Sequence, residues 1–548
     1  MMKISTMKGN KLFNLLTIVG AMVIGLPAFA SEDEDKGYVT GSFETSSVYY
    51  NEDLKTSATV PDGMFGSNNY LKLDYYNERF SAGVQMEGYS PVLVGYSSEL
   101  KGVGLTNYYV SWKDEDFSLT AGSFYEQFGS GLLFRSWEDR ALGLNNSVMG
   151  ARVTYSYNDI LNLKALWGAP RFGMKASGTQ VRGADLSFVL SNAIGLGDTY
   201  VALEGSVLDR YEALDIDRMA DGCSPNTIGW SGRVNMETNG FFFKGEYVDA
   251  GEKYYYNTAY AGEGQMYHRK NGNAQLVETG YNGRGLGVNV SLRRLEWMDS
   301  KVVTDASSAV NMINYVPAMC TQYTYMLTTL HPYGARTGDI SSKFVNSGEM
   351  GGQVDVFYNF RRGTKLGGKR GMKVHANFST YYAIAEEGTF KAGNMLFKDL
   401  SVDIEKQWNK KFKSTVLWSM QEYSPSYGAN KTTWLSNIFV ADMLYKFTPT
   451  TSVRAELQYL VTFEDQKDWM AGLVEVSMAP HWSIYASDMW NHGSTGMHYY
   501  NGGVSYSKSR TKVTLGYGRY KAGYICSGGV CRQIPAYTGA NLAVLMSF

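Results

Sequence analysis

The densest candidate chemistry in this 548-residue chain lies between Phe124 and Arg152. There Glu126, Arg135, Glu138, Asp139, Arg140 and Arg152 stand among Phe128, Leu132, Leu133, Phe134 and Trp137. Paired charges among aromatics suit two kinds of work: pinning a segment to a wall through ion pairs, or meeting a solute at a charged constriction. Gly129, Gly131 and Gly143 permit the tight backbone turns that a folded segment needs. A solvent-exposed loop has no use for so many large apolar side chains. A segment folded into a lumen buries them and pairs its charges with wall residues such as Arg152. Residues 124–147 are therefore expected inside a larger architecture, as a plug that overlaps with a constriction.

Other reactive residue types are sparse. The 6 histidines are scattered, and His492 and His498 near Asp488 are the one grouping that invites acid–base or metal chemistry; polar residues at a loop-facing strand end look the same. The sequence has no HExxH, no GxSxG nucleophile elbow and no Walker-type phosphate loop. Gly363 to Arg370 holds glycines and lysines at the wrong spacing and reads as a flexible basic turn. The 4 cysteines lack the paired CxxC knuckles of a zinc site. In an exported chain they are disulfide candidates, Cys526 with Cys531 across a Gly loop and Cys223 with Cys320 between longer connections. No catalytic residue, metal or cofactor is expected.

The elements that must carry these residues are strands. Leu71, Leu73 and Tyr75 oppose Lys72 and Asp74; after Asn77-Glu78-Arg79, Phe80, Ala82, Val84 and Met86 alternate with polar residues. The period of two gives a ribbon with one apolar and one polar face. It recurs at Val153 to Trp167, Leu286 to Arg293, Met372 to Ser379 and Val453 to Val461, in about 24 segments, with roughly 20–26 as bounds. Short connections (Thr238-Asn239-Gly240, Asn282-Gly283-Arg284, Lys508-Ser509-Arg510) alternate with long ones near 51–69, 125–147, 208–228, 248–273 and 296–350. Within the last, Thr304-Asp305 followed by Ala306 to Val316 is expected to cap and form a short helix.

Alternation alone also fits a soluble secreted sandwich or propeller. Three features favour a membrane barrel. Aromatics collect at the short turns (Trp112, Phe117, Tyr157, Trp408, Phe412, Phe447, Trp482), as in an interfacial girdle. No repeat of propeller length is present. Thr538, Ala540, Leu542, Val544, Met546 and Phe548 alternate to the last residue. A strand ending in Phe resembles the terminal signature that the assembly machinery of Gram-negative outer-membrane barrels recognises. At the other end, Lys3, Lys8 and Lys11 precede an apolar run from Leu12 to Leu26 and Ala28-Phe29-Ala30, the pattern of a cleavable export signal over residues 1–30. The expected fold is all-β: a single large antiparallel transmembrane β-barrel over 31–548, with short periplasmic turns and long extracellular loops, in the outer membrane. Its apolar face would meet lipid. A net charge of −1 without a concentrated basic patch excludes an electrostatic nucleic-acid binder.

The 124–152 segment resembles the motif of a Bacteroidota family of outer-membrane proteins of unknown function, and the similarity runs through most of the chain. More loosely, its Gln-Phe-Gly-x-Gly stretch is similar to porin-like barrels that move anionic polymers or small nutrients. That resemblance implies a large barrel without a settled substrate, and no binding role is carried over from it. The expected function is a porin-like channel for passive diffusion of small solutes or nutrients, saccharides among them. Inward Lys72, Asp74, Glu87, Arg152, Lys244, Arg293, Lys373, Arg454 and Glu456 would line it with both signs and give weak ion selectivity. The alternative is an occluded barrel whose long loops hold a polysaccharide or a protein partner. A plugged energised transporter is disfavoured, because alternation begins at Tyr38 and leaves no room for a separate plug domain.

Overall fold

The computed structural model describes residues 37–56, 58, 60–213, 224–256, 267–306, 310–338, 346–527 and 530–548. The expected export signal and Cys223 lie outside the described residues. Period-two alternation becomes one antiparallel sheet of 24 strands closed on itself, plus the two-residue piece Lys175–Ala176, which pairs only with the end of Leu161–Phe172. The strands run from 8 residues (Phe117–Phe124) to 17 (Tyr267–Gly283). Each strand pairs with the next in sequence. The first, Tyr38–Asn51, pairs with the last, Tyr537–Ser547, from Ser42↔Ser547 to Asn51↔Thr538. Closure pairs every edge, the condition for crossing hydrocarbon with strands.

The seam is locked at its lower end. Gly41 and Phe548 exchange backbone hydrogen bonds of 2.8 and 2.9 Å. The Phe548 ring lies over Gly41 so closely that a Cβ there would come within 2.2 Å of it. Tight turns at this end use residues able to adopt positive φ, such as Asn239 (50°) followed by Gly240 (83°), which matches the right-handed twist of the flanking strands.

Outward side chains are apolar and exposed, among them Leu163, Leu186, Leu292, Phe439, Val474 and Leu515. Aromatics bound this belt on both sides. On Trp482–Trp490 the two tryptophans are exposed at either end of the strand. Eight steps at ~3.3 Å, on a strand tilted by ~40°, separate them by about 20 Å along the barrel axis, close to the height of a lipid-facing band. Inward positions are polar and buried: Asp185, Ser231, Ser291, Asn377, Ser401 and Gln458. A short α-helix, Leu190–Ile194, sits among the short turns. Among the described residues no helix is long and apolar enough to cross a membrane.

Candidate functional site: a lumen narrowed by inserted segments

Residues 125–147 run inside the barrel as two miniature hairpins, Gln127–Phe128 against Phe134–Arg135 and Glu138–Asp139 against Leu144–Asn145. Their apolar side chains decide the placement. Phe128 and Phe134 are fully buried, and with Leu132 and Leu133 they pack on inward wall residues Leu166, Val181, Leu208, Val248, Ala274 and Leu295. Wall glycines make room: a Cβ at Gly183 would stand 2.9 Å from the Phe128 ring, and one at Gly229 2.8 Å from Leu133 Cδ1.

The six charged candidates do not form one ring. At the start of the segment, Glu126 accepts from Arg152 (3.3 Å) and Lys164 (2.9 Å) on the wall. At its far end, Arg140 reaches wall residue Glu44 at 2.7 Å and Glu138 at 3.3 Å, while Gln85 donates to Glu138 at 2.8 Å. Arg135 stands apart, its guanidinium 4.1 Å from the centre of the Tyr315 ring. Asp139 caps its own turn by accepting from the Leu142 N–H at 3.0 Å. These charges therefore fasten the segment at two places. The wall adds buried pairs of its own: Arg171 clasps Glu87 through two bonds of 2.6 and 2.7 Å, and Arg233 bridges Asp185 and Glu204.

A second inserted segment follows Leu286–Glu296. The expected helix from Ala306 to Val316 is not formed among the described residues; 310–316 is irregular, with a bend at 313–314. The reason is pairing with the first segment. The Arg135 N–H donates to Ile313 O and the Tyr315 N–H to Gly131 O, both at 2.9 Å. Asn314, itself buried, donates to Leu132 O (3.1 Å) and Met298 O (2.7 Å). Backbone groups that a helix would satisfy internally are satisfied across segments.

Residues 317–336 then form a strap across the inner wall. Its base is held by Glu349, fully buried, which accepts from Arg293 at 2.5 Å, from the Arg336 N–H at 2.8 Å and from the Tyr333 hydroxyl; Arg293 also donates to Pro317 O. Outward from there, Tyr381 donates to Met319 O (2.6 Å), Tyr323 to Asp403 (2.7 Å) and the Leu327 N–H to Gln458 (3.0 Å). Beneath Tyr323, His375 bridges Asp403 (2.6 Å) and Asp355 (2.7 Å). His331 stacks on Tyr423 with ring centres 4.2 Å apart and lies 3.4 Å from Asp465; burial pulls its pKa down to about 4, so it is neutral at pH 7. Cys320 is a free thiol, and burial pushes its pKa up to about 12. It packs beside Tyr381 and Met319; its candidate disulfide partner, Cys223, lies outside the described residues.

The third inserted piece is the hairpin Gly523–Ser527 and Val530–Ile534, closed by a Cys526–Cys531 disulfide with an S–S length of 2.04 Å. Val530 and Ile525 pack on Leu142, Leu144 and Met312, joining the three insertions into one body.

A gap lies between the strap tip (Met326, Thr329, Leu330), the disulfide hairpin and the wall on either side of the seam. It is a cavity of about 510 Å³ with Tyr50, Tyr96, Tyr499, Tyr520, Tyr524 and Tyr537 on its surface. No carboxylate lines it. Arg519, also in its lining, is neutralised by Asp53 at 2.7 Å. Lys521 and Arg532 make no salt bridge among the described residues; Arg532 is 6% exposed, stacks 3.8 Å over Tyr96, and burial holds it below the usual arginine range.

The histidine grouping lies elsewhere, at the end of the barrel away from the short turns. His498 pairs with Asp488 at 2.6 Å and stacks on Trp490, and His492 stacks on Tyr459. Among the described residues no three His, Cys, Asp or Glu side chains come together as metal ligands. The strap lies within the 296–350 connection, for which the sequence left an extracellular cap and a lumen insert both open. Its one signal was the density of aromatics in a supposed loop (Tyr315, Tyr323, Tyr325, Tyr333), which no solvated loop needs.

Over residues 9–548 the sequence matches a family of unknown function, DUF6029, and the chain belongs to that family. No curated protein matches it. Among solved structures, it is similar to the translocation pore of the P pilus usher PapC (TM-score 0.43, 9% identity, covering 93% of this chain and 99% of that one). It is also similar to the siderophore receptor PirA from Pseudomonas aeruginosa (0.42, 9%, 93% and 80%) and to the copper transporter OprC (0.40, 10%, 94% and 81%).

Proposed function

We propose that this DUF6029 member is a porin-like channel of the Gram-negative outer membrane, exported by a cleaved leader, through which small solutes diffuse passively. The apolar belt between aromatic rims supports the membrane location. The observation that carries the channel reading is the one-sided placement of the strap. It leans on the wall from Gly348–Phe360 to Thr451–Val461 and leaves the tyrosine-rich cavity open beside the seam. Solute enters among the long connections, passes that gap, and leaves through the wider lumen between the short turns. The three inserted segments set the size limit. No residue is assigned a catalytic role.

The test is swelling of proteoliposomes holding the full mature chain, in sugars of graded size. Pentoses and hexoses entering faster than into protein-free liposomes, with a cut-off below oligosaccharides, is the expected result. A heat-modifiable barrel that passes none of them refutes the channel. It would favour the second reading, an occluded barrel binding a polysaccharide or protein partner, which draws support from the ion pairs and hydrogen bonds that fasten the insertions.

A further inference from the structure

Two connections at the short-turn end are longer than their neighbours: 190–199, which carries the helix Leu190–Ile194, and 361–371, which is basic. Most are two to four residues; 361–371, between Gly348–Phe360 and Met372–Ile384, is far longer and reads Arg-Arg-Gly-Thr-Lys-Leu-Gly-Gly-Lys-Arg-Gly. It is folded, not splayed. The Gly368 and Gly371 N–H groups donate to Thr364 O and Gly367 O at 2.8 Å each, the Gly363 N–H donates to Gly368 O at 2.7 Å, and Lys406 donates to Leu366 O at 3.1 Å. A Cβ at Gly367 would come within 2.1 Å of Arg361 O, so the compact turn requires that glycine.

The turn walls a cavity of about 540 Å³ at the mouth of the lumen, whose surface includes Arg284, Arg361, Arg362, Arg370 and Lys373. The lone carboxylate in that lining, Glu405, is already engaged by Lys413 at 2.8 Å. None of the five cations makes a salt bridge among the described residues. Cations that share the lining of one cavity repel each other, and salt screens that repulsion only beyond a Debye length of ~8 Å. Solubility would be served as well by dispersed charge. A bound anion relieves the repulsion, and four of the five cations are arginines, whose planar forks match the paired oxygens of a phosphate.

We propose that this basic mouth is a binding site for phosphate groups. The same chemistry is offered by two sources, a free phosphorylated solute in the lumen and the headgroup of an anionic phospholipid in the adjoining leaflet. The site is independent of whether the barrel conducts.

The test is calorimetric titration of the full mature chain, folded in a non-ionic detergent at 100 mM salt, with three probes: pyrophosphate, short-chain phosphatidylglycerol and short-chain phosphatidylcholine. Binding of pyrophosphate or phosphatidylglycerol at least tenfold tighter than phosphatidylcholine is expected, weakening as salt rises. The variant R361Q/R362Q/R370Q should lose at least tenfold of it, and Glu405→Gln should strengthen it by a few-fold. Phosphatidylglycerol tighter than pyrophosphate identifies the lipid source, and the reverse order identifies the free solute. Heat-modifiable migration checks that each variant is folded. If both anionic probes bind no better than phosphatidylcholine, or if the triple variant binds unchanged, the site is refuted, whatever the swelling assay reports.

Discussion

Glu349→Gln is the most informative single perturbation of the strap. The carboxylate is fully buried and serves three groups at once: the Arg293 guanidinium, the Arg336 N–H and the Tyr333 hydroxyl. The amide has nearly the same shape but no charge, and one of its two ends donates where an acceptor is needed. Arg293 is left as an uncompensated buried cation. Breaking such a pair from one side costs about 3–5 kcal/mol. At 1.4 kcal/mol per tenfold, that raises the population of a released strap by roughly a hundred- to a few-thousand-fold. Hydrogen exchange reads this directly: amides of 317–336 should exchange faster by about that factor, while wall amides of Thr451–Val461 keep their protection. Cys320, half-buried in the wild type with its thiol pKa pushed up to about 12 by burial, becomes a second reporter and should react with a maleimide faster in the variant. The double variant R293M/E349M, which removes both charges and refills the space with apolar side chains, should restore most of the protection. A folded Glu349→Gln barrel whose strap amides and Cys320 behave as in the wild type would refute the assignment of Glu349 as the anchor.

Three more outcomes are expected. His331, depressed to about 4 by burial from an ordinary ~6.5, favours the docked strap above pH 6.5; protonation of the released strap withdraws that preference progressively between pH 6.5 and 4, by a few kcal/mol at most. Strap protection factors, with the intrinsic exchange rate at each pH divided out, should therefore be lower at pH 4.5 than at pH 7, and that acid loss should shrink in His331→Phe. The paired variant E138A/R140A removes partly exposed contacts to Glu44 and Gln85, worth of order 1 kcal/mol, and should widen the passage measurably in the swelling assay without unfolding the barrel. Gly41→Val drives a side chain into the Phe548 ring, and it should cut the yield of the heat-modifiable form severalfold on refolding.

The sheet was legible because its signal is strictly local. Every inward–outward alternation, from Leu71–Tyr75 to Thr538–Phe548, is written in consecutive residues, and two-residue turns such as Asn239-Gly240 fix the register between neighbours. The first insertion was legible for a related reason: Phe128, Leu132 and Phe134 cannot remain in water, so a segment rich in them must find a wall. Two things were not local. The expected helix over 306–316 lost to hydrogen bonds from Arg135 and to Gly131, residues about 180 positions earlier in the chain. The strap depends on Glu349 and Arg293, which on their own strands look like any inward charged residues; only closure of the sheet brings them against Tyr333 and Pro317. Lumen charges of both signs were anticipated, yet most are spent on each other. The tyrosine-rich cavity keeps only cations in its lining, which no strand-by-strand reading discloses.

The insertions narrow the lumen, and the proposed passage runs beside the seam. Single-channel recording of the refolded mature chain in a planar bilayer, beside the Glu349→Gln variant, tests it most directly. Stable small steps in the wild type, with a reversal potential favouring anions in a salt gradient, and larger or noisier steps in the variant are the predicted result. A folded, inserted barrel that is silent in both forms would contradict it.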